Sequence, residues 1–264
     1  MGDFVLHVNI TLHMTNNKLF YNKYHEKNGK FFAVIRKNDL TYFYILPVIE
    51  RALRELHMKS FDNVNVLDVG CGVGTLAFYL ANKGCAVDAF DISSSAIAIC
   101  KEFKSYSGMK NIQFYNRNVS NLTTKNKYDL VLCTEVIEHI PDDKQFLKSV
   151  SKLMKKNGFL VLSTPSLHAP LYRLGFLKKF DTEVGHLRRY EMEGLVSLIE
   201  KSGFKVVETR KVESIFRNSF FTFHGLGFFL KFVKGPLVQV FHVIDRCCTA
   251  LFGESDLIIL AQKK

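Results

Sequence analysis

The chain has 264 residues, 47% of them hydrophobic and 23% charged. That balance supports a buried core and excludes disorder over most of the length. The formal charge of +11 is uneven: residues 61–200 are close to neutral, whereas 1–60 and 201–264 are basic, which suits an anionic acceptor, an anionic membrane surface or nucleic acid, or simply a solvated basic surface.

The opening "MGDFVLHVNITLH" lacks the basic-then-apolar pattern of a signal peptide. Met14 opens a more soluble stretch and reads as the start, which leaves 1–13 as an over-called extension, a short added strand or a tail. Residues 1–39 form an N-terminal extension ahead of a core at 40–213. Helix spacing over 40–57 predicts a helix beginning near Pro47. "VNVLDV" (64–69) is then strand-like, "TLAFYLANKG" (75–84) helical, and "AVDAFDI" (86–92) a strand. A serine-capped helix follows over 93–108 and stops at Gly108. "IQFYN" (112–116) and "YDLVLC" (128–133) are strands. A helix capped by Asp142 and ended by Gly158 leads into "FLVLSTP" (159–165). "EMEGLVSLIEKSG" (191–203) is helical, "FKVVETRKV" (204–212) a strand, and "SDLIILAQKK" (255–264) contains the last one.

Strands alternating with helices predict βαβ units and a parallel sheet covered on both faces. Residues 214–254 interrupt the pattern as a phenylalanine-dense insertion before the last core segment at 255–264. His224, Lys231 and Lys234 break its apolar runs, so it does not read as a spanning helix. It reads as a helical pair packed on the core or on a dimer partner, or as a greasy acceptor pocket or membrane-surface patch. The six cysteines (71, 85, 100, 133, 247, 248) form no C-x-x-C pair and no Cys/His set with zinc spacing, so buried, reduced thiols in a cytosolic protein and no zinc are expected.

The chemistry concentrates at "NVLDVGCGVGTLAFYL" (65–80), where Gly70, Gly72 and Gly74 alternate between a strand and a helix. The third glycine comes one residue too early for a dinucleotide turn, and no lysine follows as in a phosphate loop. Asp68, two residues before the first glycine, would repel a pyrophosphate and suits an ammonium. Asp91, ending the next strand, can accept hydrogen bonds from two ribose hydroxyls. An ammonium and a ribose without a phosphate describe S-adenosylmethionine. The competing reading has two strand-end carboxylates beside a structural turn.

"VLDVGCGVG" (66–74), "FDIS" (90–93), "YDLVLCTEVIEHI" (128–140) and "LMKKNGFLVLSTP" (153–165) together resemble the class I S-adenosylmethionine-dependent methyltransferases, in order and spacing, over about 62–211. The E-x-x-E-H form at Glu135, Glu138 and His139 resembles the branch with ubiquinone-pathway and glycan or secondary-metabolite O-methyltransferases. The resemblance implies an α/β fold: a Rossmann-like, doubly wound, seven-stranded sheet with six parallel strands and one antiparallel. It also implies site residues. Gly70, Cys71, Gly72 and Gly74 would pass the methionine part, and Asp91 and Ile92 would hold the ribose. Cys133 and Thr134 would form the floor. Where the family often has an acid on the adenine amine, this chain has Asn118 followed by Val119; an amide oxygen accepts the same bond.

An oxygen acceptor must also lose a proton, to a base or with a metal, and no metal constellation is evident in the spacing. His139, just after the fourth strand, is the candidate base; it can equally be a helix-start residue bonded to backbone. In "EVGHLRRYEMEGL" (183–195), extended backbone would point His186, Arg188 and Tyr190 to one side. His186 is the second candidate for the acceptor site, with Arg188 and Tyr190 as loop anchors. The loop at 167–185 suits a lid or an interfacial segment.

The expected function is therefore methyl transfer to a small-molecule, quinone, lipid-linked or glycan-linked acceptor. The expected location is cytoplasmic, with peripheral contact at a membrane and a homodimer as further expectations. A nucleic-acid methyltransferase is disfavoured, because the fourth strand lacks an Asn-Pro-Pro-Tyr type sequence and no RNA-binding module is appended. A non-catalytic methyltransferase-like regulatory subunit would show an eroded cofactor site, whereas here the glycines and both aspartates are intact.

Overall fold

The computed structural model describes residues 40–118, 127–223, 226, 230, 233 and 236–264. The N-terminal extension through residue 39, Val119, His224, Lys231 and Lys234 lie outside the described residues.

The described chain begins with α1 (Ile45–Glu55), followed by β1 (Asn65–Val69), α2 (Thr75–Asn82), β2 (Ala86–Asp91), α3 (Ser94–Ser107) and β3 (Ile112–Asn116). Then come β4 (Tyr128–Thr134), α4 (Asp143–Leu153) and β5 (Met154–Pro165). Two short helices, α5 (Pro170–Arg173) and α6 (Lys178–Val184), precede α7 (Met192–Lys201) and β6 (Phe204–Val212). The insertion holds α8 (Ile215–Thr222) and α9 (Pro236–Phe252), and β7 (Asp256–Lys263) closes the chain.

The seven strands form one sheet in the order β3-β2-β1-β4-β5-β7-β6. β1 to β5 run parallel, and β7 is antiparallel to both β5 and β6. The order reverses beside β1, which opens a crevice at its carboxyl end where this class of sheet binds ligands. Both faces are covered. Val66, Leu130 and Leu132 pack with Ile49, Phe78 and Ile97 on the α1–α3 side. Leu67, Val131 and Leu162 pack with Leu147, Leu195 and Ile199 on the α4 and α7 side. Neighbouring residues of a strand thus serve opposite layers, so apolar runs rather than alternation mark these strands.

Local signals set the helix ends as expected. The Ser93 hydroxyl accepts from the amide of Ala96 at 3.1 Å, and the Asp142 carboxylate accepts from Gln145 at 2.9 Å. Gly108 closes α3 in the left-handed conformation. One boundary differs. The helix expected to run to Gly158 ends at Leu153, and β5 begins at Met154, opposite Tyr128. The ladder is irregular between Tyr128 and Leu130, and Asn157 takes a φ of 63°. "MKKNG" is therefore the irregular start of a strand rather than the end of a helix.

The insertion is fastened by buried polar groups to the segment just ahead of α1. The Asp245 carboxylate accepts from the Ser214 amide at 3.0 Å, from the Ser214 hydroxyl at 2.6 Å and from the Tyr44 hydroxyl. Arg217, fully buried, donates to Glu213 at 2.9 Å and to the Leu40 carbonyl, and lies over the rings of Tyr44 and Phe221. Phe216 and Phe220 of α8 pack on Phe241 of α9. Removing one partner of a buried charge network strands the other. Arg217→Ala is therefore expected to lower unfolding stability by about 3 kcal/mol, read as a fall in the urea midpoint; an unchanged midpoint would refute this anchoring.

Candidate functional site

The glycine turn follows β1. Gly70, Gly72 and Gly74 have φ of 72°, 52° and 81°, where side chains with a Cβ are strained. The amides of Gly70 and Cys71 both donate to the Phe90 carbonyl, at 2.8 and 3.0 Å, so the turn is laced to β2. Gly74 has a further constraint. A Cβ there would meet Cys100 Sγ and a Phe114 ring carbon at 3.0 Å. Its absent side chain thus faces the core, and the third glycine lets α2 pack against α3 and β3.

Asp91 ends β2, and its carboxylate ties two loops together. One oxygen accepts from the Gly72 amide at 2.8 Å and the other from the Ser93 amide at 2.7 Å. Burial pushes its pKa up to about 6, against the pull of those amides. Asp68 is also buried, and its Oδ1 has no partner. Burial and the nearby Asp91 charge push it up to about 7. Two carboxylates thus flank the glycine turn, one satisfied by backbone and one with an unpaired oxygen.

The other residues expected here are less uniform. Cys71 is buried, with Sγ 3.6 Å from the Gly72 carbonyl. Ile92 is half-buried against the α4 and α7 layer. Asn118 is half-buried two residues beyond β3. Cys133 and Thr134 end β4 and are buried, Cys133 within the apolar layer. Of the six thiols, Cys247 is exposed on α9, contrary to the expectation of uniform burial.

On the other side of the β4 end, the chain passes Glu135 at a φ of 55° into a short 3-10 turn at Ile137–His139. Glu135 accepts from the Ser163 hydroxyl at 2.5 Å, and Glu138 from the Thr164 hydroxyl at 2.9 Å. Burial pushes Glu135 up to about 7, and burial plus the Glu135 charge raise Glu138 well above the carboxylate range. His139 is buried, and its Nδ1 lies 3.1 Å from the Gly185 carbonyl. A carbonyl only accepts, so Nδ1 carries the hydrogen and Nε2 is the basic atom.

His186 approaches from the following loop, its ring centroid 4.9 Å from that of His139. Its Nδ1 is 2.9 Å from the Asp181 carboxylate, which Arg189 also grips at 2.7 and 2.8 Å. Burial would raise Asp181, but its bonds to His186 and Arg189 hold it below the usual carboxylate range. The expected common side for His186, Arg188 and Tyr190 is not found. Arg188 and Tyr190 both donate to Asp143, at 2.8 and 2.9 Å, while His186 turns to Asp181. The latter two expected anchors thus hold the loop to the start of α4.

The spacing had suggested no metal set; the fold brings together three side chains that could hold a metal ion. Donor atoms of Glu138, His139 and His186 lie within 4.8 Å of one another. Glu138 Oε1 is buried without a hydrogen-bond partner, 3.8 Å from His139 Nε2, and each histidine has its Nδ1 oriented by an oxygen acceptor. Imidazoles whose Nδ1 is held this way leave Nε2 to serve as the ligand atom for a divalent cation. Asp181, Arg189, Ser163 and Thr164, which position this cluster, carry no spacing signal and escaped the sequence reading.

A family model described as a methyltransferase domain matches residues 60–216. The chain belongs to this family. Ubiquinone biosynthesis O-methyltransferases are similar to it: that of Rickettsia typhi is 31% identical over 151 residues, covering 57% of this chain and 59% of that protein. That of Pelagibacter ubique is 32% identical over 143 residues, covering 53% and 58%. These matches span less than two thirds of the relatives' length. Among solved structures, phosphoethanolamine N-methyltransferase 2 of Haemonchus contortus superposes with a TM-score of 0.62 at 15% identity, covering 92% of this chain and 60% of that one. Magnesium protoporphyrin IX methyltransferase of Synechocystis gives 0.59 at 18% identity, covering 94% and 95%. These two establish the fold. The family match ends at the start of α8, so most of the insertion lies beyond it.

The buried carboxylates make stability depend on pH. Asp68 holds its proton to about pH 7 when folded, against 3.8 for an ordinary aspartate. Between those values the folded chain binds more protons than the unfolded one, so this group's contribution falls as pH rises and levels off above about 7. Asp68→Asn is expected to raise the urea midpoint near pH 8 and to leave it unchanged near pH 4. A variant with the wild-type midpoint at both values would refute the burial of an uncompensated charge.

Proposed function

We propose that the chain binds S-adenosylmethionine at the glycine turn and transfers its methyl group to an oxygen of a small, quinone-like, lipid-linked or glycan-linked acceptor. The observation that carries this reading is the pair of buried carboxylates at the turn. Asp68 offers an unpaired oxygen to an ammonium, and Asp91 keeps lone pairs for ribose hydroxyls after accepting two amides. No phosphate fits beside two acids. Gly70, Cys71 and Gly72 supply close backbone for the methionine part. Ile92 and Asn118 border the nucleoside, and Cys133 and Thr134 form the floor at the end of β4. The similarity to ubiquinone biosynthesis O-methyltransferases supports an oxygen of a quinone-type molecule as the acceptor.

The donor supplies a methyl already activated by a sulfonium, so the protein mainly aligns the acceptor and takes its proton. One bond forms between acceptor oxygen and methyl carbon, the carbon–sulfur bond breaks, and the hydroxyl proton leaves. His139 Nε2, in its neutral tautomer, is placed to receive that proton, with His186 beside it. Glu138 Oε1, which lacks a hydrogen bond and lies 3.8 Å from His139 Nε2, favours a second reading of the same cluster: Glu138, His139 and His186 hold a divalent cation, whose chemistry would be to lower the pKa of the acceptor hydroxyl.

Calorimetric titration should detect S-adenosylmethionine binding, weakened about tenfold or more in Asp91→Ala by loss of charge-assisted hydrogen bonds; absence of binding would overturn the assignment. His139→Ala and His186→Ala should keep donor affinity but lose roughly 10²–10⁴ in methyl transfer. Labelled donor incubated with cell extract should mark lipid or glycan pools; label confined to RNA would favour the nucleic-acid alternative. Chelation should spare the rate if His139 acts as the base alone, and abolish it, with recovery on adding magnesium or zinc, if the cluster holds a cation.

A further inference from the structure

The exposed large apolar residues are unevenly distributed. Apart from Met58 and Tyr106, all of those among the described residues fall between Leu167 and Phe252. They issue from two connections: the one after β5 and the insertion before β7. Pro165 pairs with Asp256, which pairs with Val212, so both connections leave the sheet at the same edge. The glycine turn leaves at that edge too, because β1, β4 and β5 run parallel.

The first connection carries a turn with "RLGFLKK" (173–179). Leu174 and Phe176 are 64% and 60% exposed, and Gly175 between them has a φ of 86° with open space around it. Arg173, Lys178 and Lys179 around them are exposed. The Phe176 ring meets Phe223 at 6.1 Å, which joins this turn to the end of α8. The second connection carries α9. Its inner side, with Val238, Phe241, His242 and Asp245, is buried. Its outer side presents Leu237, Val240, Ile244 and Leu251, with Arg246 exposed at its margin. Among the described residues of α5, α6, α9 and the turn at 174–177, the one exposed carboxylate is Glu183, and it pairs with Lys179 at 3.7 Å.

We propose that this edge docks on an anionic bilayer surface, with Leu174, Phe176 and the outer side of α9 entering the headgroup region and the basic residues meeting lipid phosphates. No helix among the described residues is long and apolar enough to cross a membrane, so the contact is peripheral. A second copy of the chain is the competing occupant, because 237, 240, 244, 247 and 251 have the spacing of a helix seam. Lipid is favoured for two reasons. Exposed apolar side chains also stand on the 174–176 turn and at Phe223, which a single helix seam would leave bare. The net charge around it is positive, which complements an anionic surface and opposes an identical one. The docking stands apart from the methyl-transfer reading; only its consequence, an acceptor delivered from the lipid side, rests on it.

Co-sedimentation with vesicles tests the proposal. The full chain should bind vesicles of phosphatidylcholine mixed with phosphatidylglycerol, bind pure phosphatidylcholine far less, and be released by salt. Lys178→Glu with Lys179→Glu should lower partition about tenfold or more. Leu174→Ser with Phe176→Ser, and Val240→Ser with Ile244→Ser, should each lower it comparably. Circular dichroism melts confirm that each variant is folded. Lack of vesicle binding by the folded wild type, or equal binding to both lipids, overturns the proposal. So does a concentration-dependent dimer that the α9 variant dissociates while vesicle binding is absent. Vesicle binding without methyl transfer to any acceptor would leave docking intact and sink the methyl-transfer reading; transfer without vesicle binding would do the reverse.

Discussion

One carboxylate, Asp91, holds the glycine turn in register with the rest of the sheet. Its two oxygens accept the amide of Gly72 and the amide of Ser93, so one side chain fixes the loop after β1 and the junction between β2 and α3 together. The Phe90 carbonyl adds two further bonds to the same turn. The backbone of the turn therefore needs no ligand to hold its shape, and its three left-handed glycines are the geometric price of that closeness. Burying Asp91 and Asp68 side by side is unfavourable without a cation, as the upward pull on both acids shows. A preformed, negatively charged cradle of this kind is matched by a ligand that brings a positive charge and hydroxyl donors.

The second half of the site is organised differently. Around the β4 end, carboxylates and imidazoles are oriented by groups from three separate elements: hydroxyls from β5, the Asp181 carboxylate from α6 and the Gly185 carbonyl beyond it. Arg189 grips Asp181, and Arg188 with Tyr190 secures the same loop to α4. The arrangement of His139 and His186 thus depends on the loop after β5 staying docked. That is the loop whose exposed turn carries Leu174 and Phe176, and a single short helix, α6, separates that turn from His186.

Much of this was legible in the sequence, for identifiable reasons. β3 at Ile112–Asn116 and β6 at Phe204–Val212 appeared with their true bounds because apolar runs stop at polar turns. The caps at Ser93 and Asp142 were visible because capping is local chemistry. The start of β5 was not: "MKKNG" has helix-ending composition, and only its pairing opposite Tyr128 makes it a strand. The core-facing role of Gly74 depends on Cys100 and Phe114, which come from later elements. The Glu138–His139–His186 cluster escaped because its third member arrives from a distant loop, held by an Asp181–Arg189 pair that no spacing rule marks.

The antiparallel last strand also has a topological meaning. Val212, ahead of the insertion, and Asp256, just past it, are register partners on adjacent strands. The insertion is thus a closed excursion: the chain leaves the sheet and returns one strand spacing away, whatever lies between. Changing its length alters loop-closure entropy only slowly and leaves the β5-β7-β6 ladder in place. The sheet and the glycine turn can therefore be inherited as a fixed cassette, while the insertion's share of what the edge touches is rewritten within 213–255.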